Sequence, residues 1–259
     1  MKVLKAQFLS EKGEVLSARL TLPDDGVPEN FALIVHCFTC NKNFNGVRNI
    51  SKAITASGFG VLSFDFTGLG NSEGNFSDTN FSTNVADIVS AANYLKEKYT
   101  APSLIVGHSF GGPAAIYAAA KIASVKAIAT VAAPSEVDHV KHLIENEIDV
   151  IKEQGKATIR LEGTPLTIKK QFLDDLSKHD LSKVFKELRK AILIIHSPND
   201  TTVTIDHAEK LYTEARHPKS FICLDKADHL LNNKKDAYYA GEIIATWVKR
   251  YLPASSVQP

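Results

Sequence analysis

Residues 103–112 read SLIVGHSFGG, an apolar run that leads straight into a turn containing the pattern G-x-S-x-G. The run that follows, GPAAIYAAAKI at 112–122, is rich in alanine, the residue with the highest helix propensity. A short apolar run, a glycine-rich turn and a helical run in succession indicate a buried strand, a tight turn and a helix. This order predicts the strand–turn–helix unit of an α/β sheet.

The serine in this turn is the first candidate for chemistry. A turn this sharp imposes a strained backbone conformation on Ser109, and the flanking glycines remove Cβ atoms that would clash. The hydroxyl is then presented above the sheet edge at a helix N-terminus, where the dipole and free N–H groups favour negative charge. The alternative is a glycine-rich turn with a capping serine. We take Ser109 as the candidate nucleophile.

The rest of the chain alternates strand-like and helical patterns around this unit. Runs such as FALIV at 31–35 and AILIIHS at 191–197 are continuously apolar, as expected of strands covered on both faces. Together these patterns predict an α/β fold with a mostly parallel eight-stranded sheet flanked by helices. The predicted strands are Lys2–Ser10, Val15–Leu22, Phe31–Phe38, Gly60–Thr67, Ser103–Ser109, Val125–Ala133, Ala191–Ser197 and Ser220–Asp225.

One polar stretch, residues 135–189, separates two predicted core strands by more than a crossover helix needs. We therefore divide the chain into an α/β core at residues 1–134 and 190–259 and an inserted cap at 135–189. Long insertions in compact domains are often functional, so we interpret this one as a small lid; the alternative is a surface elaboration. Within it, ATIRLEGTPLTIKK predicts two short strands around a Gly-Thr-Pro turn.

The composition argues against several classes of function. With 30 basic and 29 acidic residues and a formal net charge of +1, there is no electrostatic case for nucleic acid or an anionic membrane as partner. No run approaches the length of a membrane span, and the N-terminus lacks the apolar core of a signal peptide. Three cysteines, an odd number, argue against a disulfide framework. We expect a cytoplasmic protein, and a monomer and a homodimer both stay open.

A serine hydroxyl needs a histidine to take its proton and a carboxylate to orient that histidine, here in the chain order Ser, Asp or Glu, His. His229 is the preferred base because SFICLDKADHLL places it in a loop just after the last core strand. The other histidines after Ser109 are expected to be solvated in the insertion, satisfied within a strand, or exposed on a helix. In that order they are His139, His142 and His179, then His196, then His207 and His217.

The carboxylate should leave the strand AILIIHS, and PNDTTV places Asp200 directly after it. The alternative role for Asp200 is that of a turn or capping residue. Asp228 adjoins His229, and consecutive side chains diverge, so it is a poor orienter. Asp225 ends the preceding strand and is a weaker rival. We take Asp200 as the third member of the site.

The pentad HCFTC at 36–40 permits three interpretations. A redox C-x-x-C pair needs a low-pKa cysteine, which typically opens a helix, whereas NKNFNG intervenes before the next helical run. A zinc site needs further ligands, and the only other cysteine is Cys223. The third interpretation is a loop that holds an oxyanion, with two thiols near the site.

In this order, HCFTC, FDFTGLGNSEG, GHSFGG, SPNDTTV and ADHLL resemble the α/β-hydrolase superfamily over nearly the whole chain. The resemblance is greatest to bacterial serine esterases that include feruloyl and cinnamoyl esterases, and to a hydrolase module found fused to OsmC-like domains. It implies a small lid after the sixth core strand and an oxyanion hole formed by the backbone N–H groups of Phe38 and Phe110. It also leaves open whether a fused partner domain is missing.

The sequence departs from the family's usual His-Gly-Phe-Thr-Gly loop, because Cys37 and Cys40 stand where glycines are usual. If those positions need a positive φ, cysteine would be strained there. The sequence predicts a serine carboxylic-ester hydrolase that forms an acyl-enzyme on small to medium acyl or aryl esters, with no metal or other cofactor. The alternatives are an amidase, peptidase or thioesterase on the same machinery, or a thiol-redox protein using the two cysteines.

Overall fold

A computed structural model describes residues 1–26, 28–161 and 164–253. Its main sheet has eight strands in the spatial order β1-β2-β4-β3-β5-β6-β9-β10. The pairings β1–β2 and β2–β4 are antiparallel, and every other neighbouring pair is parallel. The strands are β1 Lys2–Leu9, β2 Val15–Leu22, β3 Phe31–Val35, β4 Gly60–Phe64, β5 Leu104–His108, β6 Ala127–Val131, β7 Lys156–Leu161, β8 Thr164–Lys169, β9 Ala191–His196 and β10 Lys219–Cys223. The predicted fold class is therefore confirmed.

Helices cover both faces of the sheet, with α1 packed on α8 and α2 packed on α3. The helices are α1 Asn45–Ala56, α2 Phe81–Lys98, α3 Gly111–Lys121, α4 Ile148–Gln154, α5 Lys170–Leu176, α6 Leu181–Glu187, α7 Asp206–Glu214 and α8 Lys234–Val248, with 3₁₀ segments at Phe76–Asp78, Val137–Glu147 and Lys249–Tyr251. No helix in the part of the chain that the structure describes is both long and apolar enough to cross a membrane.

The continuously apolar strands are explained by two hydrophobic clusters. In β3, Phe31, Leu33 and Val35 belong to one cluster, whereas Ala32 and Ile34 belong to the other. Successive side chains of a strand point to opposite faces, so each face of the sheet has its own core. Each large side chain buried in this way contributes about 1.5–3 kcal/mol. A polar residue on either face of these strands would lose that contribution.

The turn after β5 places Ser109 in the left-handed region, with a φ of 52°. Two glycines permit the close approaches that hold it there. A Cβ on Gly107 would lie 2.3 Å from the Gly111 carbonyl oxygen, and a Cβ on Gly111 would lie 2.5 Å from the His36 carbonyl oxygen. The Ser109 N–H donates to the Val131 carbonyl at 2.9 Å, so the strained residue is fixed to the end of β6.

Residues 135–189 lie between β6 and β9 and contain the separate two-stranded antiparallel sheet β7–β8. The predicted turn between these strands falls partly on residues 162 and 163, which lie outside the described residues, as do residues 254–259. Helix α5 is tied to α2 because the buried Asp175 carboxylate accepts from the Ser82 N–H and hydroxyl, each at 2.8 Å. The insertion is therefore packed against the core next to the HCFTC loop, where Phe172 meets Phe38.

We predict that Gly107→Ala lowers the unfolding free energy by about 3 kcal/mol, because the added Cβ would overlap the Gly111 backbone. Gly155→Ala is the matched control: Gly155 has a φ of 80° but open space around it. That control should lose only about 1 kcal/mol, from left-handed strain alone. Urea unfolding of both variants makes the comparison, and equal losses would contradict the close-packed turn.

Candidate active site

The three residues singled out as nucleophile, base and acid come together at one edge of the sheet. Ser109 follows β5, Asp200 follows β9 and His229 follows β10, so all three stand beyond the carboxyl ends of parallel strands. The Ser109 hydroxyl lies 3.0 Å from His229 Nε2, and His229 Nδ1 lies 2.7 Å from Asp200 Oδ2. This geometry lets His229 receive a proton from the hydroxyl while its other nitrogen donates to the carboxylate.

Asp200 is buried and held by its own loop. Its Oδ1 accepts the Thr202 and Val203 N–H groups, each at 2.9 Å, while Oδ2 faces His229. Burial alone would raise the pKa of Asp200, but the hydrogen bonds from His229 and from the two amides outweigh it and lower the pKa below its ordinary value. Asp200 is thus ionised at neutral pH.

The two rival carboxylates are engaged elsewhere. Asp228 accepts the Asn232 N–H at 3.0 Å. Asp225 accepts from the Cys223 thiol at 3.3 Å. Of these three aspartates, Asp200 alone is hydrogen-bonded to the His229 ring in the described structure.

His108 is a residue that the sequence analysis did not single out, although it directly precedes Ser109. Its Nε2 lies 2.7 Å from the His229 carbonyl oxygen, and because a carbonyl only accepts, Nε2 must carry the proton. Its Nδ1 has no hydrogen-bond partner among the described residues. Burial, followed by the nearby charge of His229, lowers the pKa of His108 to about 4, so this ring is neutral and braces the backbone of His229.

The other histidines agree with expectation only in part. His196 is the buried strand residue predicted, and its Nε2–H donates to the Val203 carbonyl at 2.8 Å. His139, His179 and His207 were predicted to be solvated or on the surface, but each is half-buried. His139 and His207 pack ring to ring at 4.3 Å, and His179 packs against Phe81 at 4.7 Å. Long-range packing covers these rings, which no local pattern reveals.

The loop HCFTC is closed by a disulfide between Cys37 and Cys40, so the expectation of two free thiols is wrong. The Cys40 N–H donates to the Cys37 carbonyl at 3.3 Å, which closes a four-residue turn. The positive φ that a glycine would favour falls on Thr39, at 61°, and on neither cysteine. Neither cysteine therefore has the predicted backbone strain, which falls on Thr39 instead. Cys223 is free and exposed.

The loop is fixed at its start by His36. His36 Nδ1–H donates to the Cys37 carbonyl at 2.8 Å, and Nε2 accepts the Phe66 N–H at 3.3 Å. Burial lowers the pKa of His36 to about 4, in keeping with a neutral ring that donates from one nitrogen and accepts at the other.

The backbone N–H groups of Phe38 and Phe110 make no hydrogen bond to any other group of the described chain. The two phenyl rings meet edge to face at 5.5 Å, so the two loops that carry these amides are adjacent. Amides left free beside a nucleophile are available to a developing oxyanion.

A cavity of about 210 Å³ opens beside Ser109 and His229. Its apolar walls include Phe38, Leu143 and Val203. His139 and His142, which were expected to be solvated in the insertion, also line it. No acidic side chain and no lysine or arginine is among the described residues that line it. Nor do the described residues bring three His, Cys, Asp or Glu side chains together as a metal site.

A mostly parallel eight-stranded sheet with a serine in the turn after β5 and a histidine after the last strand defines an α/β hydrolase. Residues 28–183 match the family described as serine aminopeptidase, S33, and the chain belongs to this family of α/β hydrolases. A comparison with curated proteins gave no significant match.

Solved structures agree with this assignment. The esterase domain of a Rhodothermus marinus protein is 42% identical, with a TM-score of 0.79, and the match covers 97% of this chain and 99% of that one. Est1E from Butyrivibrio proteoclasticus, solved with ferulic acid bound, is 17% identical, with a TM-score of 0.77 and coverage of 95% and 99%. A putative hydrolase from Agrobacterium vitis S4 is also 17% identical, with a TM-score of 0.77 and coverage of 95% and 98%. The latter two show the shared fold.

We predict that the unfolding free energy falls as the pH is lowered from about 6.5 to about 4, by about 1 kcal/mol per pH unit for each of His36 and His108. Their pKa is about 4 in the folded protein and about 6.5 in the unfolded chain, so the unfolded chain binds more protons in this window. Denaturant unfolding across this pH range measures the slope.

The variant His108→Gln should lose its share of this slope, because glutamine does not titrate yet can donate to the His229 carbonyl. His217→Gln is the control, since His217 is exposed. A slope that His108→Gln leaves unchanged would mean that His108 takes up its proton equally in both states.

Proposed function

We propose that this protein is a serine carboxylic-ester hydrolase in which Ser109 is the nucleophile, His229 the general base and acid, and Asp200 the group that orients His229. The observation that carries the proposal is the continuous set of contacts from Ser109 Oγ to His229 Nε2 and from His229 Nδ1 to Asp200. The strained φ of Ser109 adds support, because such strain is concentrated at functional sites.

The reaction begins when the ester carbonyl lies over Ser109 in the cavity. His229 takes the hydroxyl proton as Ser109 Oγ attacks the carbonyl carbon, and Asp200 stabilises the imidazolium that forms. His229 then gives this proton to the departing alcohol oxygen, which leaves an acyl-Ser109 ester. Water enters, gives a proton to His229 as it attacks the acyl carbon, and the same proton returns to Ser109 as the acid departs.

The Phe38 and Phe110 amides are the proposed oxyanion hole. Both are free of other partners in the described chain, and Phe110 N–H stands at the start of α3, where the helix dipole adds positive potential. Donors of this kind stabilise the tetrahedral oxyanion more than the ground-state carbonyl, and one of them is worth roughly 3 kcal/mol.

The cavity favours an ester over a peptide with a free amino terminus. An aminopeptidase needs an acidic group to hold the substrate's ammonium group, and no acidic side chain is among the described lining residues. The apolar walls suit a small to medium acyl or aryl group, and the match to an esterase domain at 42% identity points the same way. Hydrolysis of an amide or thioester on the same machinery is the competing activity. Turnover of aminoacyl p-nitroanilides beside p-nitrophenyl esters separates the classes.

We further propose that residues 135–189 form the lid of this site. The 3₁₀ segment Val137–Glu147 supplies Val140 and Leu143 to the cavity wall. Helix α5 supports the oxyanion loop from the other side, through the contact of Phe172 with Phe38 at 5.6 Å.

We predict that Ser109→Ala reduces kcat for p-nitrophenyl butyrate by about 10⁶-fold, since the nucleophile is lost. Asp200→Asn should reduce it by about 10⁴-fold, because the amide no longer favours the His229 tautomer that accepts a proton at Nε2. Steady-state assays with a range of esters from acetate to decanoate make the measurement.

Ser57→Ala is the matched control, because Ser57 ends α1, away from the cavity, and should keep full activity. Retention of wild-type turnover by folded Ser109→Ala would exclude the proposed nucleophile. If folded wild-type protein cleaved p-nitroanilides rapidly but did not turn over esters, the result would instead favour an amidase on the same machinery.

We predict that Leu143→Trp shifts the acyl preference towards shorter chains, because the larger ring fills part of the cavity. The kcat/KM for decanoate relative to acetate should fall about tenfold or more. Val150→Trp is the control: Val150 lies in the same insertion with nearly the same exposure, 39% against 38%, but does not line the cavity. An unchanged acyl preference in Leu143→Trp would contradict the proposal that the insertion lines the acyl site.

A further inference from the structure

We propose that the Cys37–Cys40 disulfide is a site of reversible thiol–disulfide modification that sets the position of the Phe38 amide, and that reduction by a dithiol lowers the turnover number. The inference rests on the proposed function, since Phe38 N–H is one of the two proposed oxyanion donors. It concerns a chemical step that ester hydrolysis itself does not use.

The disulfide joins the first and last residues of the turn that carries this amide. Phe38 and Thr39 are the two residues between the cysteines, whose Cα atoms lie 5.3 Å apart. The hydrogen bond that closes the turn, from Cys40 N–H to the Cys37 carbonyl, is long at 3.3 Å. Thr39 adopts a left-handed conformation that is unfavourable for a residue with a side chain. A long hydrogen bond alone offsets that cost poorly, so the turn depends on the cross-link.

The chain on either side of the turn is anchored independently of the disulfide. At the start of the turn, His36 donates to the Cys37 carbonyl and accepts the Phe66 N–H. After it, the Lys42 N–H donates to Asp65 Oδ1 at 2.7 Å, and the buried Lys42 ammonium pairs with Asp65 Oδ2. Reduction should therefore release the turn without unfolding the loops on either side.

The two cysteines differ in how far they are exposed at the substrate cavity. Cys40 is half-buried and lines the cavity beside Ser109, whereas Cys37, which also borders it, is only 5% exposed. We therefore expect a thiolate that enters the cavity to attack the more exposed cysteine, Cys40. Cys223 differs from this pair because it is exposed but has no disulfide partner.

The modification is a two-step exchange with a dithiol. A thiolate of the dithiol attacks Cys40 Sγ, the Cys37–Cys40 bond breaks, and the Cys37 thiolate leaves and takes a proton. The second thiol of the reagent, as thiolate, then attacks its own sulfur in the mixed disulfide and releases Cys40, which also takes a proton. Two electrons and two protons pass from the dithiol to the protein, and the dithiol becomes a cyclic disulfide.

The size of the effect is bounded from both sides. Losing an oxyanion donor outright costs about 10²–10³ in kcat. The Phe38 ring stays packed against Phe76, Phe110 and Phe172, which limits how far the amide can move. We expect reduction to lower kcat about tenfold, with KM nearly unchanged because the Phe38 ring stays packed and the other apolar walls, Leu143 and Val203, lie outside the turn.

The experiment compares the oxidised full chain with the same protein reduced by dithiothreitol and desalted without oxygen, so that no free thiol attacks the ester. Thiol titration must rise from one group, Cys223, to three. Steady-state kinetics on p-nitrophenyl butyrate then give kcat and KM for each form, and reoxidation should restore kcat. Hydrogen exchange of peptides spanning residues 36–44 supplies a readout without substrate, and should accelerate on reduction.

Two variants serve as controls. Cys223→Ser should respond to dithiothreitol as the wild type does. The double variant Cys37→Ser with Cys40→Ser should have the kcat of the reduced wild type, with or without reductant.

Equal kcat and equal hydrogen exchange in the one-thiol and three-thiol forms would overturn the inference. So would a thiol count that stays at one in the folded protein, because Cys40 would then be closed to the reagent. Failure of the proposed function is distinguishable: oxidised wild type would be as inactive as Ser109→Ala, while the exchange of residues 36–44 would still report on the turn.

Discussion

The left-handed backbone of Ser109 is the constraint on which the rest of the site depends. Holding a side-chain-bearing residue there costs about 1–2 kcal/mol, and the surrounding packing must outweigh it. Gly107 and Gly111 allow β5, α3 and the end of β3 to approach at distances that a Cβ would forbid. The Ser109 N–H is fixed to Val131 at the end of β6. Ser109 is thus positioned by three neighbouring strands, and the HCFTC loop after β3 lies beside it as a consequence.

Three buried histidines then fix the loops that the sheet only brings close. His36 donates to the HCFTC loop, His108 donates to the backbone of His229, and His196 donates to the loop that carries Asp200. Burial lowers the pKa of all three, so they act as neutral donors of fixed direction. A protonated His108, whose ring centroid lies 5.5 Å from that of His229, would oppose a positive charge on His229, whereas the neutral His108 ring does not.

The fold and the positions of Ser109, Asp200 and His229 could be predicted because their signals are local. Each follows a short apolar run, and the carboxyl ends of parallel strands share one edge of a sheet. The disulfide could not be predicted, since C-x-x-C is compatible with thiols, a metal or a cross-link until the turn's path is known. The role of His108 could not be predicted either. Its partner lies 121 residues away, and no sequence pattern indicates a contact of a side chain with a distant backbone carbonyl.

The two halves of the proposed chemistry differ in how they are held. The nucleophile is set by strands and glycines, and shifting it would require the core to move. The oxyanion loop is a turn with a strained Thr39, closed by a covalent bond and a 3.3 Å hydrogen bond between two firm anchors. Stabilisation of the transition state decreases steeply when a donor N–H moves out of position, whereas substrate binding depends mostly on the apolar walls of the cavity. A change confined to the backbone of this turn therefore acts on turnover, while the fold and the cavity walls outside the turn, such as Leu143 and Val203, stay as they are.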